Sequence, residues 1–450
     1  MTIRAKPIRF DDAWGAARAL AENAADRTGP DVVLVRDLLG RVSLVVDDRD
    51  RTRTLPSGAA LADLAQQLVQ QTGPFAAPAP VVAASELFLP EQILQARDLC
   101  TVRERNEHAG SVSVLERGVM GAEWLHPREE VPGNRVALYG FKGGVGRSTA
   151  AFFLAQHLAS RGCCVLVVDL DVESPGVGAL LSGDNDLPEY GLLDHLVESA
   201  VGNSEGLDLI ARSKEVRVGG NGEVWVAPAG GRPREGYDHL AKLNRAYLDA
   251  PTSGSDQSPT GFAERLEAAV RACEEQVTLR SRAPDVVLLD SRAGIHDVAA
   301  ITITQLADLS LLFASDSVQT WNGYRALFGQ WSRVPQQARL IRERLRMVAA
   351  MVPRSGHEEY LERFRDHAQE CFAATLYDEI PGPVPFQRDR ELFNPAPDDE
   401  AAPHSPLPIY FSPDLLALDA AAHRSWHEAD PGAYTAFLAA AAELIVGDHR

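Results

Sequence analysis

The stretch at residues 136–149, VALYGFKGGVGRST, joins an apolar run to a glycine cluster and then to a helical pattern, STAAFFLAQHLASRG, beginning at Ser148. A strand buried on both faces reads as a continuous apolar run, while a helix repeats its apolar residues every three to four positions. Between the two, Gly143, Gly144 and Gly146 let the backbone curl closely enough to aim several N–H groups at one anion. The helix start at residues 147–149 turns further unpaired N–H groups, and its positive dipole end, toward the same point. The sequence therefore predicts a cradle for a polyphosphate made of Gly143, Gly144, Val145, Gly146, Arg147, Ser148 and Thr149. In such a cradle the Ser148 hydroxyl suits Mg²⁺ and that of Thr149 suits phosphate.

Outward from this stretch, short apolar runs alternate with helical patterns, as expected of a parallel sheet covered on both faces. The candidate strands are 136–140, 164–169, 224–229, 285–290, 309–314 and 347–352. The fold class is thus α/β, a doubly wound, mostly parallel sheet over residues 134–450, with a smaller N-terminal α+β domain over residues 1–75. That small domain has strands at 32–35 and 42–46 and a helical pattern at 61–69. The Pro- and Ala-rich run GPFAAPAPVVAAS (73–85) reads as a linker, and residues 76–133 as linker and mixed segment. The run at 250–262, APTSGSDQSPTGF, reads as a surface loop.

The chain has 450 residues, 45% of them hydrophobic and 24% charged, which is globular usage rather than that of a disordered chain. Its 44 basic and 63 acidic side chains leave a net charge of −19, which disfavours nucleic acid and anionic lipid as partners. No apolar run approaches membrane-spanning length and the first residues lack the pattern of a secretory signal, so a cytoplasmic location and no membrane partner are expected. Five cysteines without a C-x-x-C pair read as reduced core residues, Cys163 and Cys164 opening a strand.

The usual P-loop pattern G-x-x-x-x-G-K-[ST] fails at two positions, where Phe141 and Arg147 replace the first Gly and the Lys. What stands, K-G-G-V-G-R-S-T with an early Lys142, resembles the deviant Walker A motif KGGxGK[ST] of the MinD/ParA-type P-loop ATPases of the SIMIBI class. The resemblance implies ATP and Mg²⁺ as ligands and a homodimer in which Lys142 reaches the partner's phosphates. VLVVDLDVESPG resembles the family's second aspartate motif, implying that Asp169 supports Mg²⁺ and Asp171 positions the attacking water. DVVLLDSRAG resembles its Walker B element, implying that Asp290 holds a Mg²⁺-bound water. All three acids fall where parallel strands end, the place where such sheets bind ligands. The likeness extends over residues 134–446 through VWVAPAGG, MVAAMVPRS, DEIPGPVPFQRD and LPIYFSPDLLALD, although the Asn that the family usually carries at the end of the strand in MVAAMVPRS is missing. The implied metal set is Ser148, Asp169 and Asp290, and the implied catalytic set Lys142, Asp171 and Asp169.

The family serves many roles, and accessory features narrow them. There is no C-x-x-C pair for a metallocluster and no tyrosine-rich tail, and the pattern at 433–446 lacks the Lys and Arg of a membrane-binding helix, so it reads as core. The run SRVPQQARLIRERLR places Arg339, Arg342 and Arg346 on one helical face, a possible DNA contact that Glu343 and the acidic balance weaken. Lys214, Arg217, Arg232 and Arg234 form a second basic region. Arg292 reads either as a second phosphate contact or as the partner of a nearby acid, and His296 with Asp297 as a helix start. His357 and His367 are wrongly spaced for a metal pair, and Trp321, Tyr324 and Trp331 suit core packing. The expected function is a Mg²⁺-dependent ATPase switch that dimerises on ATP and regulates a protein partner, for instance in a bacterial multi-gene or defence system. That partner is expected at the N-terminal unit or at the stretch between the second and third motifs. The alternatives are a nucleotide-sensing scaffold with little turnover, which Arg147 keeps open, and a DNA-associated partition ATPase.

Overall fold

The computed structural model describes residues 7–50, 57–96, 99–106, 109–118, 121–182, 186–216, 219–248, 261–379, 392–413 and 431–447. Two compact units make up the chain, one of residues 1–126 with 333–335, the other of residues 127–332 and 336–450.

In the first unit, helix α1 (Phe10–Thr28) is followed by strands β1 (Val32–Arg36) and β2 (Val42–Val46), helix α2 (Gly58–Thr72) and strand β3 (Ala76–Ala83). A short helix α3 (Glu91–Leu94) and strands β4 (Leu99–Arg103) and β5 (Val112–Glu116) complete it. The sheet order is β3-β2-β1-β5-β4. Ala17, Leu20, Ala21 and Ala24 of α1 and Leu68 of α2 pack on Val32, Leu34, Leu44 and Val46, while Val33, Val45 and Leu115 face the opposite side with Ala84. The expected linker is therefore corrected. Residues 76–83 are a strand at the sheet's edge, where prolines are tolerated because no ladder N–H is required on the open side. Its register jumps from Val42↔Ala76 to Leu44↔Val81, and that irregularity accommodates Pro78 and Pro80. The first unit accordingly runs on through β4 and β5 instead of stopping at residue 75.

The second unit begins with β6 (Arg135–Gly140), α4 (Arg147–Ser160), β7 (Cys164–Asp169), α5 (Val177–Ser182) and α6 (Leu192–Ser199). There follow β8 (Ala211–Arg212), β9 (Glu223–Ala227), α7 (His239–Ala246), α8 (Phe262–Arg280), β10 (Val286–Asp290) and α9 (Asp297–Ile301), which continues as a π-helical turn at Thr302–Leu306. The remainder is β11 (Leu309–Ala314), α10 (Val318–Ser332), α11 (Pro335–Arg342), β12 (Leu345–Val352), α12 (His357–Ala373), β13 (Leu407–Tyr410) and α13 (Thr435–Val446). The sheet order is β13-β12-β11-β6-β10-β7-β9-β8, parallel except at β8. All residues of β6, β7 and β10 are buried. Val165 and Val167 pack with residues of α4, α5 and α13, whereas Cys164, Leu166 and Val168 pack with α6, α8 and α9. That alternation is the period-two geometry of a strand in a doubly wound sheet.

Other expectations resolve within this frame. The pattern at 433–446 includes α13, whose Phe437, Leu438, Ala441 and Ala442 are core. Trp321, Tyr324 and Trp331 are buried, with Trp321 against Phe364 of α12 at 4.9 Å. All five cysteines are buried. The single basic helical face is corrected, because α11 ends at Arg342 and Arg346 belongs to β12. Arg342 donates to Leu376 O (3.1 Å) and Asp378 (2.9 Å), Arg344 to Arg128 O (3.1 Å) and Glu129 O (2.6 Å), and Arg346 to Ala401 O. Of the second basic region, Lys214 pairs with Asp186 and Arg234 with Asp194, while Arg217 lies outside the described residues. Also outside them are most of 250–262 and of 378–389, and residues 414–419. No helix among the described residues is long and apolar enough to cross a membrane.

Gly222 enters β9 so close to α4 that a Cβ there would lie 1.8 Å from Ala159 O. Gly222→Ala is expected to destabilise the second unit by about 1–3 kcal/mol. The measurement is thermal unfolding, with Gly219→Ala as control because a Cβ at Gly219 meets nothing within 4 Å. Equal melting temperatures for the two variants would contradict this packing.

Candidate active site

The strand order reverses about β6, with β10, β7 and β9 on one side and β11, β12 and β13 on the other. Ligands of open α/β sheets bind at such a switch point, beyond the carboxyl ends of the strands. β6 runs from that point straight into the glycine turn. Gly144 and Gly146 take φ of 76° and 80°, a backbone region that L side chains avoid. A Cβ at Gly143 or Gly144 would meet nothing within 4 Å, so the turn borders open space. Gly146 caps α4 without any side-chain hydrogen bond, which leaves the first N–H groups of that helix to face the same space.

The two departures from the ordinary P-loop each have a structural counterpart. Phe141 occupies the room left by Gly323 of α10, where a Cβ would come within 2.3 Å of the ring, and lies 6.2 Å from the Tyr324 ring. An aromatic side chain in the place of the first Gly thus requires a glycine on a distant helix. Arg147 donates to Ser291 O, just beyond β10. Lys142 donates to Gln319 Oε1 at the start of α10, a contact within its own chain.

Ser148 Oγ donates to Asp290 Oδ2 at 2.6 Å, so the head of α4 and the end of β10 meet. Across the β10–β7 ladder Asp290 stands opposite Asp169. Asp169 Oδ2 accepts from Gly176 N (3.0 Å) and Gly178 N (3.2 Å) and Oδ1 from Asp171 N (3.2 Å), which folds the loop after β7 back over the strand end. Asp290 Oδ1 is buried and has no partner. Burial pushes the Asp169 carboxyl well above the usual range, and the neighbouring Asp290 adds to the rise. Burial raises Asp290 as well, against the pull of Arg147 and Ser148. A lone buried carboxylate oxygen beside a serine hydroxyl and an open glycine turn fits a divalent cation shared with phosphate. Among the described residues no group of three or more His, Cys, Asp or Glu forms a cage of its own.

Asp171 sits at the loop's opening, accepting from Ser174 N at 3.1 Å. Arg292 pairs with Glu173, the acid-partner alternative for this arginine, with Nη1 4.0 Å from Asp171 Oδ1. His296 Nδ1 accepts from Val298 N (3.3 Å) at the start of α9, as the helix-start reading has it, and Nε2 lies 3.3 Å from Glu173 Oε1. Burial, then the adjacent Arg292, lowers the His296 pKa, which favours the neutral ring. Glu173 also accepts from Tyr247 OH at 3.0 Å, and His239 Nε2 lies 2.9 Å from Val172 O, tying this loop to both ends of α7. Sequence reasoning missed Glu173, Tyr247, Gln319 and Gly323. Glu173 lies inside the second aspartate motif, but nothing local marks any of the four.

Two buried acids with raised pKa bind protons more tightly in the folded than in the unfolded chain. They therefore destabilise the fold where both are ionised, and stability recovers as the pH falls toward the ordinary 3.8 of an aspartate. Asp290→Asn is expected to raise the melting point of the nucleotide-free protein at pH 8, by the equivalent of about 1–3 kcal/mol. The gain should shrink by pH 4.5. Thermal unfolding at the two values checks this, and a lower melting point at pH 8 would refute the repulsion.

A family model for an AAA domain matches residues 133–196. The chain is 31% identical over 220 residues to the chromosome-partitioning ATPase Soj of Thermus thermophilus, covering 46% of this chain and 82% of that protein. Among solved structures, the MinD cell division protein of Aquifex aeolicus is 18% identical with a TM-score of 0.31, over 50% of this chain and 70% of that one. The cobyrinic acid a,c-diamide synthase of Mycobacterium smegmatis, solved with an ATP analog and magnesium, is 18% identical with a TM-score of 0.36, over 55% and 85%. Given the extent of its match to Soj, the chain belongs to the MinD/ParA-type family of P-loop ATPases.

Proposed function

We propose that the chain is a Mg²⁺-dependent ATPase that closes as a two-fold dimer on ATP and regulates a protein partner through that dimer. The observation that carries the reading is the Ser148–Asp290 contact at the mouth of the glycine turn, with Asp290 Oδ1 left over. The backbone N–H groups of Gly143, Gly144, Val145 and Gly146, with those of Arg147, Ser148 and Thr149, cradle the phosphates. Ser148 and Asp290 hold Mg²⁺, which when bound neutralises phosphate charge. Asp169 supports them from beneath by fixing the loop that carries Asp171, and Asp171 orients the attacking water. Lys142 leaves Gln319 to reach the phosphates held by the partner copy.

Arg147 favours a second reading, a nucleotide-sensing scaffold with little turnover. A guanidinium is larger than an ammonium, and here it is already engaged on Ser291 O. Phosphate release separates the two: the switch requires steady turnover that falls about 100-fold in Asp171→Ala, the scale of a lost general base. Absence of release from both proteins would instead favour the scaffold. Chromatographic mass with ATP and Mg²⁺ should double for wild type and stay monomeric for Lys142→Ala. An unchanged mass for wild type would exclude the dimerisation switch.

A further inference from the structure

The loop that carries Arg292 is fixed on both sides of it. Ser291 N donates to Leu138 O (3.1 Å) and Gly294 N to Gly140 O (3.2 Å), so the loop is stitched to the strand that feeds the glycine turn. Tyr139 OH adds a bond to Gly294 O at 3.1 Å. Arg292 therefore projects from a rigid base beside Asp290, and its guanidinium reaches across to Glu173 and to within 4.0 Å of Asp171. It is a cation held at the opening of the site by an acid to which the family resemblance assigns no role.

We propose that Arg292 senses the terminal phosphate of a bound nucleoside triphosphate and that Glu173 is the latch that holds it when that phosphate is absent, an inference that rests on the nucleotide-binding reading above. The latch is built to open. Glu173 Oε1 is engaged by Tyr247 OH at 3.0 Å and faces His296 Nε2 at 3.3 Å. Because His296 Nδ1 accepts from Val298 N, the neutral ring carries its proton on Nε2, the nitrogen that faces Glu173. Arg292 takes the other oxygen, Oε2. When the guanidinium departs, Oε1 keeps the Tyr247 donor and Oε2 turns to water, since the Glu173 side chain is 25% exposed. The Arg292 side chain is 29% exposed as a whole, although Nη1 itself is buried against the acid. A phosphate offers the planar guanidinium a more highly charged, bidentate acceptor than one carboxylate oxygen. A diphosphate lacks the terminal group and leaves the latch closed.

The test is calorimetric titration of the full chain, in Mg²⁺, with ADP and with a non-hydrolysable ATP analogue. Arg292→Ala should weaken the analogue about tenfold, the loss of one charge-assisted hydrogen bond, and leave ADP unchanged. Arg292→Lys should restore part of that loss. Glu173→Gln should act in the opposite direction, tightening the analogue several-fold with ADP unchanged. A purely structural ion pair cannot produce that reversal, since breaking it from either side would weaken both nucleotides or neither. Equal effects on the two nucleotides, or a Glu173→Gln variant that binds the analogue no better than wild type, would overturn the sensor. If wild type binds neither nucleotide, the nucleotide-binding reading fails first and takes the sensor with it; if wild type binds both and the variants do not discriminate, only the sensor falls.

Discussion

Two carboxylates buried side by side at the ends of adjacent parallel strands set the terms for the rest of this site. Asp169 and Asp290 are held opposite each other by the β7–β10 ladder, and neither can move without breaking sheet register. Buried acids at such distances repel, and each is costly to ionise away from water. The fold offsets this unequally. Asp169 receives three backbone N–H groups, while Asp290 has one hydroxyl and the nearby Arg147, with an oxygen left unpaired. The unequal treatment separates their roles: the first acid is used in shaping a loop, and the second keeps capacity for a ligand. Perturbed, incompletely satisfied groups of this kind concentrate where chemistry occurs.

The glycine turn is shaped by the same economy of contacts. Replacing the usual first Gly by Phe141 moves the tolerance for close packing elsewhere, onto Gly323 of α10. α10 also supplies Gln319 to Lys142, so a single helix supports the two residues that open the motif. Arg147 is compatible with the turn because its long side chain finds a carbonyl beyond β10 instead of crowding the open space.

The parallel strands were legible because burial on both faces leaves an unbroken apolar run, and 164–169 and 309–314 coincide with β7 and β11. Edge elements were not. β3 carries two prolines that only an edge position tolerates, and position in a sheet is not written in local sequence. The helix α1 was overlooked although Ala17, Leu20, Ala21 and Ala24 recur at helical spacing, because a stripe dominated by alanine has little contrast with its surroundings. The basic helix was misread for the opposite reason: arginines at 339, 342 and 346 keep helical spacing across a chain reversal into β12. At the site, the glycines, Ser148 and Asp290 could be found because their contacts follow from a local motif. Glu173 could not, since its meaning depends on Arg292, Tyr247 and His296, all far along the chain.

The loop following β7 is where chemistry at the phosphates would have to be converted into a change elsewhere in the second unit. Asp169 fixes it at both ends, through Asp171 N at the start and through Gly176 N and Gly178 N at the close, which leaves residues 172–175 between the clamps. Those residues touch α7 twice, through His239 at Val172 O and through Tyr247 at Glu173. α7 in turn is tied to α6, where Lys242 and Arg234 both pair with the buried Asp194. Coupling needs an element with two arrangements that both ends can bias. A loop clamped at both ends and held in its middle by Arg292 on one side and α7 on the other offers a place for such an element, whereas the strands beneath it, packed on both faces, do not.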